Sequence, residues 1–305
     1  MSTTTTPTPS TGSDAGDGDE YPTGGPANVE HLLEVLDLER LELDLFRGLS
    51  VAGSPPRVFG GQVAAQSLIA AARTVPEGRP PHSFHSYFIR AGDPMTPVVF
   101  SVDRVRDGRS FSVRRVIALQ NGKGIFALTA SFQAPARGLE HGTPRPDVPP
   151  PADSRRDRRR RGDADEHEPS FRDSFEMRTA RSSRRREAGD DVADATWFRA
   201  AGPLPADPLI HTAMVVFASD FGIMDPVMSH HDRGHGEEGA RIASLDHVMW
   251  FHHQIRADEW MLFHRRSPNA SGARGLAIGE IYDEAGRHCI TVAQEAMFRL
   301  PEFMD

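Results

Sequence analysis

Two polar side chains interrupt apolar faces in the second half of the sequence, and both belong to types that handle protons and water. In HTAMVVFASDFGI (211–223), a helical period puts Val216 and Phe217 before Asp220, and Ile223 and Met224 after it, on one face. A carboxylate on such a stripe needs hydrogen bonds or a raised pKa, and an unpaired polar group there costs roughly 2–7 kcal/mol. In HCITVAQEAMF (288–298), one strand face reads Ile290, Val292, Gln294, Ala296, Phe298, with Gln294 its only polar member. A carboxylate can act as a base, and a carboxamide can hold a water or polarise a carbonyl. Two plainer accounts stay open: a buried polar pair that only fixes the fold, or an Asp220 lying past the true helix end. Ser244 opens ASLDHVMWFHH (243–253); its neighbours leave its face ambiguous, and spacing alone makes it a strand-start serine.

The elements that would position these residues fall into two similar blocks. The spacing divides the chain into a tail (1–28), a first repeat (29–135), a polar Arg/Pro-rich linker (136–170) and a second repeat (171–305) holding the three residues above. The first repeat opens with a strand candidate, RLELDLFRG (40–48). It continues with a helix-like GGQVAAQSLIAAARTV (60–75), a strand SFHSYFIR (83–90), and two strands, 110–120 and 124–133, around Asn121-Gly122. The second has strand candidates at 174–180 and 196–202, the helix 211–223, the strand 243–253, and two strands, 273–283 and 288–298, around Glu284-Ala285-Gly286. Asn-Gly and Ala-Gly between alternating segments are hairpin signals. Aligning Gly122 with Gly286 brings the last strands into phase, with Ala130 opposite Gln294. One helix with several antiparallel strands per repeat gives an α+β fold. Two such sheets can join edge to edge, which removes an exposed strand edge from each.

Composition narrows the remaining classes. Cys289 is the only cysteine in 305 residues, which rules out a disulfide framework and suits a reducing, cytoplasmic compartment. No apolar run approaches the ~20 residues of a membrane span. The N-terminal stretch has neither the basic start nor the apolar core of a secretory signal. A net charge of −8 argues against nucleic acid, and the RRDRRRR run (155–161) is followed at once by Asp163, Asp165, Glu166 and Glu168, as in a solvated linker. His230, His231, Asp232 and His235 crowd into SHHDRGHGEE (229–238), whose glycines and polarity favour a loop over a metal-ligand set. His247, His252 and His253 are expected to pack or hydrogen-bond in or just past their strand. There is no G-x-S-x-G elbow, and Cys289 has no acid–base signature beside it, so a covalent acyl-enzyme is not expected.

Several long segments resemble the acyl-CoA thioesterase II family, in order and through both repeats. They are RVFGGQV (57–63), SFHSYFIRAGD (83–93), RDGRSFSVRRVIALQNGKGIFALTASFQ (106–133), ASD (218–220), ASLDHVMWFH (243–252), ARGLAIGEIYDEAGR (273–287) and VAQEAMFR (292–299). The resemblance implies a double-hotdog fold, fatty acyl-CoA as substrate, no metal or organic cofactor, and a homo-oligomer. It implies a catalytic trio at Asp220, Ser244 and Gln294, two of them the pattern-breakers found above. The family's best-known members carry Thr where this chain has Ser244, so the hydroxyl is kept without the methyl that restricts its rotamer. The arginine-rich linker also departs from the family pattern. Two rivals remain: a non-catalytic acyl-CoA-binding protein of this fold, and a hotdog enoyl-CoA hydratase. The hydratase pattern has His five residues after its Asp, where this chain has Asp225.

Overall fold

The computed structural model describes residues 28–51, 57–156, 170–180, 194–231 and 241–303. The first repeat contains α1 (Val29–Leu36), β1 (Glu39–Glu42), β2 (Leu45–Gly48), α2 (Gly60–Ala72), β3 (Pro81–Phe88), β4 (Val98–Asp107), β5 (Phe111–Gln120) and β6 (Lys123–Gln133). A short β7 (Arg155–Arg156) precedes the second repeat. That repeat contains β8 (Phe175–Thr179), β9 (Asp194–Ala200), α3 (Pro208–Ser219), α4 (Asp225–His230), β10 (Arg241–Ser244), β11 (Asp246–Phe251), β12 (Met261–Ser271), β13 (Arg274–Asp283) and β14 (His288–Arg299).

The strands form one antiparallel sheet in the order β1-β2-β4-β5-β6-β3-β11-β14-β13-β12-β9-β8-β7, with β10 also paired to β14. The two half-sheets join edge to edge through β3 and β11, from Asp246 opposite Tyr87 to Trp250 opposite Ser83. Every residue of α2 from Gly61 to Ala71 is buried, as is α3 from Ala213 to Ser219. α3 accordingly reads as nearly continuous apolar sequence, while the buried Gln62 and Gln66 of α2 donate to Leu49 C=O (3.2 Å) and Val35 C=O (2.9 Å). The Asn121-Gly122 hairpin has both residues at positive φ (48° and 72°), the turn its sequence announces.

The elements differ from expectation in instructive places. RLELDLFRG is not one strand but the hairpin β1–β2. The second helix starts earlier, capped by the Asp207 carboxylate accepting from Leu209 N–H (2.8 Å), and stops at Ser219. Asp220 is its C-cap (φ −82°, ψ −6°), and Gly222 at φ 63° turns the chain away. The strand 243–253 is broken at Leu245. Part of the linker is not solvated: Pro149 C=O accepts from Trp197 Nε1–H (2.8 Å), and Arg155 pairs with Thr179 on the sheet edge. The rest of the basic run (157–161), Asp232 and His235 lie outside the described residues, while His230 and His231 end α4.

Candidate active site

The break at Leu245 brings the candidate residues together. Ser244 lies opposite Ala296 and Val248 opposite Ala293, so the β10–β11 segment has one residue more than the facing stretch of β14. The bulge is held by Leu245 N–H donating to Glu295 C=O (2.9 Å) and by Glu295 N–H donating to the Asp246 carboxylate (2.7 Å). In an unbroken strand, residues 244 and 247 would point to opposite faces. With the extra residue, both Ser244 and His247 reach Gln294.

Gln294 is 1% exposed and is the hub of the cluster. Its Nε2 donates to Ser244 Oγ (2.8 Å) and to Asp220 Oδ1 (3.2 Å). Its Oε1 is in hydrogen-bond contact with His247 Nδ1. His247, also 1% exposed, contacts Ser219 Oγ through Nε2 at 2.9 Å. Burial pulls its pKa down to about 4 against the opposing effect of Gln294, so the ring is neutral at physiological pH.

The fourth partner comes from the other repeat. Asp220 Oδ2 accepts from Gly61 N–H at 3.0 Å, at the first turn of α2, where the helix presents unpaired N–H groups and the positive end of its dipole. The approach requires glycine at two successive positions. A Cβ on Gly61 would lie 2.2 Å from Phe217 C=O, and one on Gly60 would lie 2.7 Å from Asp220 Oδ2. Phe59, Phe171, Phe217 and Phe221 pack around this junction with ring centroids 4.8–6.0 Å apart.

Asp220 retains partial exposure. Even so, burial raises its pKa from 3.8 to about 6, with Gln294, Gly61 N–H and the Arg172 charge pulling the other way. It is therefore an ionised carboxylate near neutral pH with enough basicity to take a proton. Accepting from Gln294 leaves the Ser244 O–H to donate elsewhere.

All three sequence-derived candidates converge, and sequence reasoning missed two contributors. Gly61 acts through its backbone, with the Gly60-Gly61 pair at a helix start as its only sequence signal. His247 is expected from the sequence to pack or hydrogen-bond in its strand and is found in the cluster, and no periodicity rule foresees the bulge that brings it there. Cys289 is buried, and burial raises its pKa, as in an unreactive thiol. Among the described residues, no group of His, Cys, Asp and Glu could hold a metal ion. Asp225, which stands where a hydratase would have His, opens α4, and its N–H donates to Gly222 C=O.

A family model described as acyl-CoA thioesterase matches residues 167–297, and one described as acyl-CoA thioesterase N-terminal domain matches 52–133. The chain is 36% identical to mouse (Mus musculus) acyl-coenzyme A thioesterase 8 over 93% of its own length and 94% of the relative's. It superposes on an acyl-CoA thioesterase II from Mycobacterium marinum with a TM-score of 0.76 at 37% identity, covering 90% of this chain and 99% of that one. A hot dog fold protein from Alicyclobacillus acidocaldarius superposes with a TM-score of 0.71 at 23% identity, over 88% and 98% of the two chains.

Proposed function

The chain belongs to the acyl-CoA thioesterase family, as a double-hotdog acyl-CoA thioester hydrolase, and from that premise we propose that Asp220, Ser244 and Gln294 activate the water that cleaves the thioester. The observation that carries this reading is the Gln294 carboxamide, whose two N–H groups draw Asp220 and Ser244 to one point. Asp220 takes a proton from a water as its oxygen attacks the thioester carbonyl carbon. The carbonyl π electrons move to oxygen, where the Ser244 O–H donates to the developing charge. Collapse of this intermediate breaks the C–S bond, and the proton held by Asp220 passes to the leaving sulfur. The products are a free carboxylic acid and CoA, and Asp220 is again ionised.

The α2 N-terminus keeps Asp220 ionised where burial alone would push it further toward neutrality. The substrate class we assign is fatty acyl-CoA, hydrolysed in the cytoplasm, as the single buried thiol suits. A homo-oligomer is favoured by the exposed Tyr87 and Ile89 beside the β3–β11 seam (64% and 46% exposed); light scattering of the purified protein tests it. Among the described residues, no helix is long and apolar enough to cross a membrane.

Asp220→Asn tests the assignment. It preserves size but removes charge and basicity, so the variant should fold, bind acyl-CoA and lose roughly 10²–10⁴ in kcat. A well-folded variant within about threefold of wild type, under 1 kcal/mol in barrier, would exclude the mechanism.

A further inference from the structure

The direction of each hydrogen bond in the Gln294 cluster follows from the Asp220 carboxylate. An ionised carboxylate only accepts, so the side of Gln294 facing it must be the NH2 group. The same NH2 faces Ser244, which leaves Oε1, an acceptor, turned to His247. His247 Nδ1 must then carry the ring proton, and Nε2 is the bare nitrogen that accepts from the Ser219 O–H. Ser219 Oγ also lies 2.8 Å from Val216 C=O, an alternative acceptor for that hydroxyl within the helix. A neutral imidazole in water carries its proton mainly on Nε2, so the site selects the less common tautomer.

A carboxamide can rotate by 180° with little change in shape. Flipped, Gln294 would turn Oε1 toward Asp220 and set two acceptors against each other. From the open side the ionised Asp220 opposes the flip, but once it has taken the proton from water it can donate to Oε1 and no longer prevents it. On the buried side, one group does. Resting on the proposed roles of Asp220, Ser244 and Gln294, we propose that His247 is a positioning residue: its Nδ1–H locks the Gln294 carboxamide with NH2 toward Asp220 and Ser244. His247 does not touch the reacting atoms. It is fixed from the far side by Ser219, from the backbone by Ser86 Oγ–H donating to its C=O (2.6 Å), and by the Phe84 ring packed 6.0 Å away.

Two replacements separate positioning from packing. The Asn side-chain nitrogen falls near the place of imidazole Nδ1, so His247→Asn keeps a donor to Gln294 while losing ring volume. His247→Phe keeps the volume and loses the donor. Positioning through hydrogen bonding predicts that His247→Phe loses about 10- to 100-fold in kcat with KM within about threefold. It also predicts that His247→Asn stays within about fivefold of wild type, whatever its cost in stability. In a Gln294→Ala background, His247→Phe should change kcat by less than threefold, since nothing remains to orient. Equal kcat losses for Asn and Phe, or an undiminished Phe effect in the Gln294→Ala background, would overturn the assignment. If His247→Phe does not fold, the tautomer of the wild-type protein decides the question. Two-bond ¹H–¹⁵N spectra of ¹⁵N-histidine-labelled enzyme at pH 7, with the His247 signals assigned by their loss in His247→Asn, should show Nδ1–H and bare Nε2. An Nε2–H or doubly protonated His247 would contradict the proposal. Failure of the Asp220→Asn test together with an Nδ1–H ring would sink the mechanism and leave the lock standing.

Discussion

The two repeats bury their central helices alike but close the helix ends with opposite pairs of side chains. In the first, Arg114 on β5 faces Ala130 on β6; in the second, Ala277 on β13 faces Gln294 on β14. The long polar residue has moved from one strand to the other, and in both repeats it reaches the end of the helix. Arg114, 0% exposed, donates from Nε to Thr74 Oγ1 (2.8 Å) and from Nη2 to Thr74 C=O (2.9 Å) just past α2, and it pairs with Asp107 at 2.8 Å. Its charge is fully engaged, so this end is a plug. Gln294 brings no charge to the end of α3, where it meets an acid instead. The work that Arg114 does at the first helix falls in the second to Arg265 on β12, which donates to Phe221 and Gly222 C=O and pairs with Asp194 at 2.9 Å. Moving the arginine one position away in the sheet leaves Asp220 to be met by a neutral donor, and its basicity survives.

That contrast predicts which changes affect stability and which affect rate. Arg114→Met should give the largest loss of stability, about 3 kcal/mol, because Thr74 C=O and Asp107 lose their partner at once. The reading is a denaturant midpoint, and kcat of the folded fraction should hold within about twofold. Gln294→Ala should act chiefly on rate, since Gln294 brings no charge to its helix end, although the new alanine would face Ala277 and not an arginine as Ala130 does. Its kcat should drop on the order of 10²-fold, with a stability loss of only about 1–2 kcal/mol from the buried His247 N–H left without its acceptor. A Gln294→Ala enzyme that unfolds readily but turns over normally would make the two helix ends equivalent and erase the distinction.

Asp220 should also carry a stability cost of its own. Its folded pKa lies above the unfolded value, so the favourable contribution of its neutral form is complete below about pH 4 and lost as pH rises through about 6. Asp220→Asn should therefore be more stable than wild type at pH 8, by up to about 3 kcal/mol for a shift of this size, less the cost of one lost acceptor. The gain should vanish by pH 4, which thermal melts at the two pH values will show. A variant destabilised at both would mean that the carboxylate is held for structure. The smallest effect belongs to the connector. Removing residues 140–144, an exposed stretch before the docked Arg145 and Pro149, should alter kcat/KM less than threefold.

The Asp220 end of α3 is more legible in the sequence than the surrounding fold. Asp220 and Gln294 were legible because each breaks an apolar face, and burial turns such a break into a statement about partners. Ser244 is ambiguous in the sequence, and His247 is expected there only to pack or hydrogen-bond within its strand, for one reason: both placements depend on a single extra residue at Leu245, and that bulge reverses the strand's alternation. α1, β4 and β12 were not read at all. The second half of β4 is exposed from Asp103 to Asp107, so its alternation fades. β12 contains Pro268, and its register shifts between Arg266 and Asn269. Gly61 lies within the RVFGGQV motif, but the use of its N–H depends on how closely α2 approaches the end of α3, which no local pattern encodes.

The most direct test of the account is the pH dependence of kcat/KM for wild type and Asp220→Asn on one acyl-CoA. If Asp220 must be ionised to accept the proton from water, the wild-type rate falls tenfold per pH unit below an apparent pKa near 6. His247, neutral down to about pH 4, adds no limb of its own in that range. In Asp220→Asn, the residual rate should be low and should show no limb near pH 6. An acid limb near 6 that persists unchanged in Asp220→Asn would place the titrating base elsewhere and contradict the account.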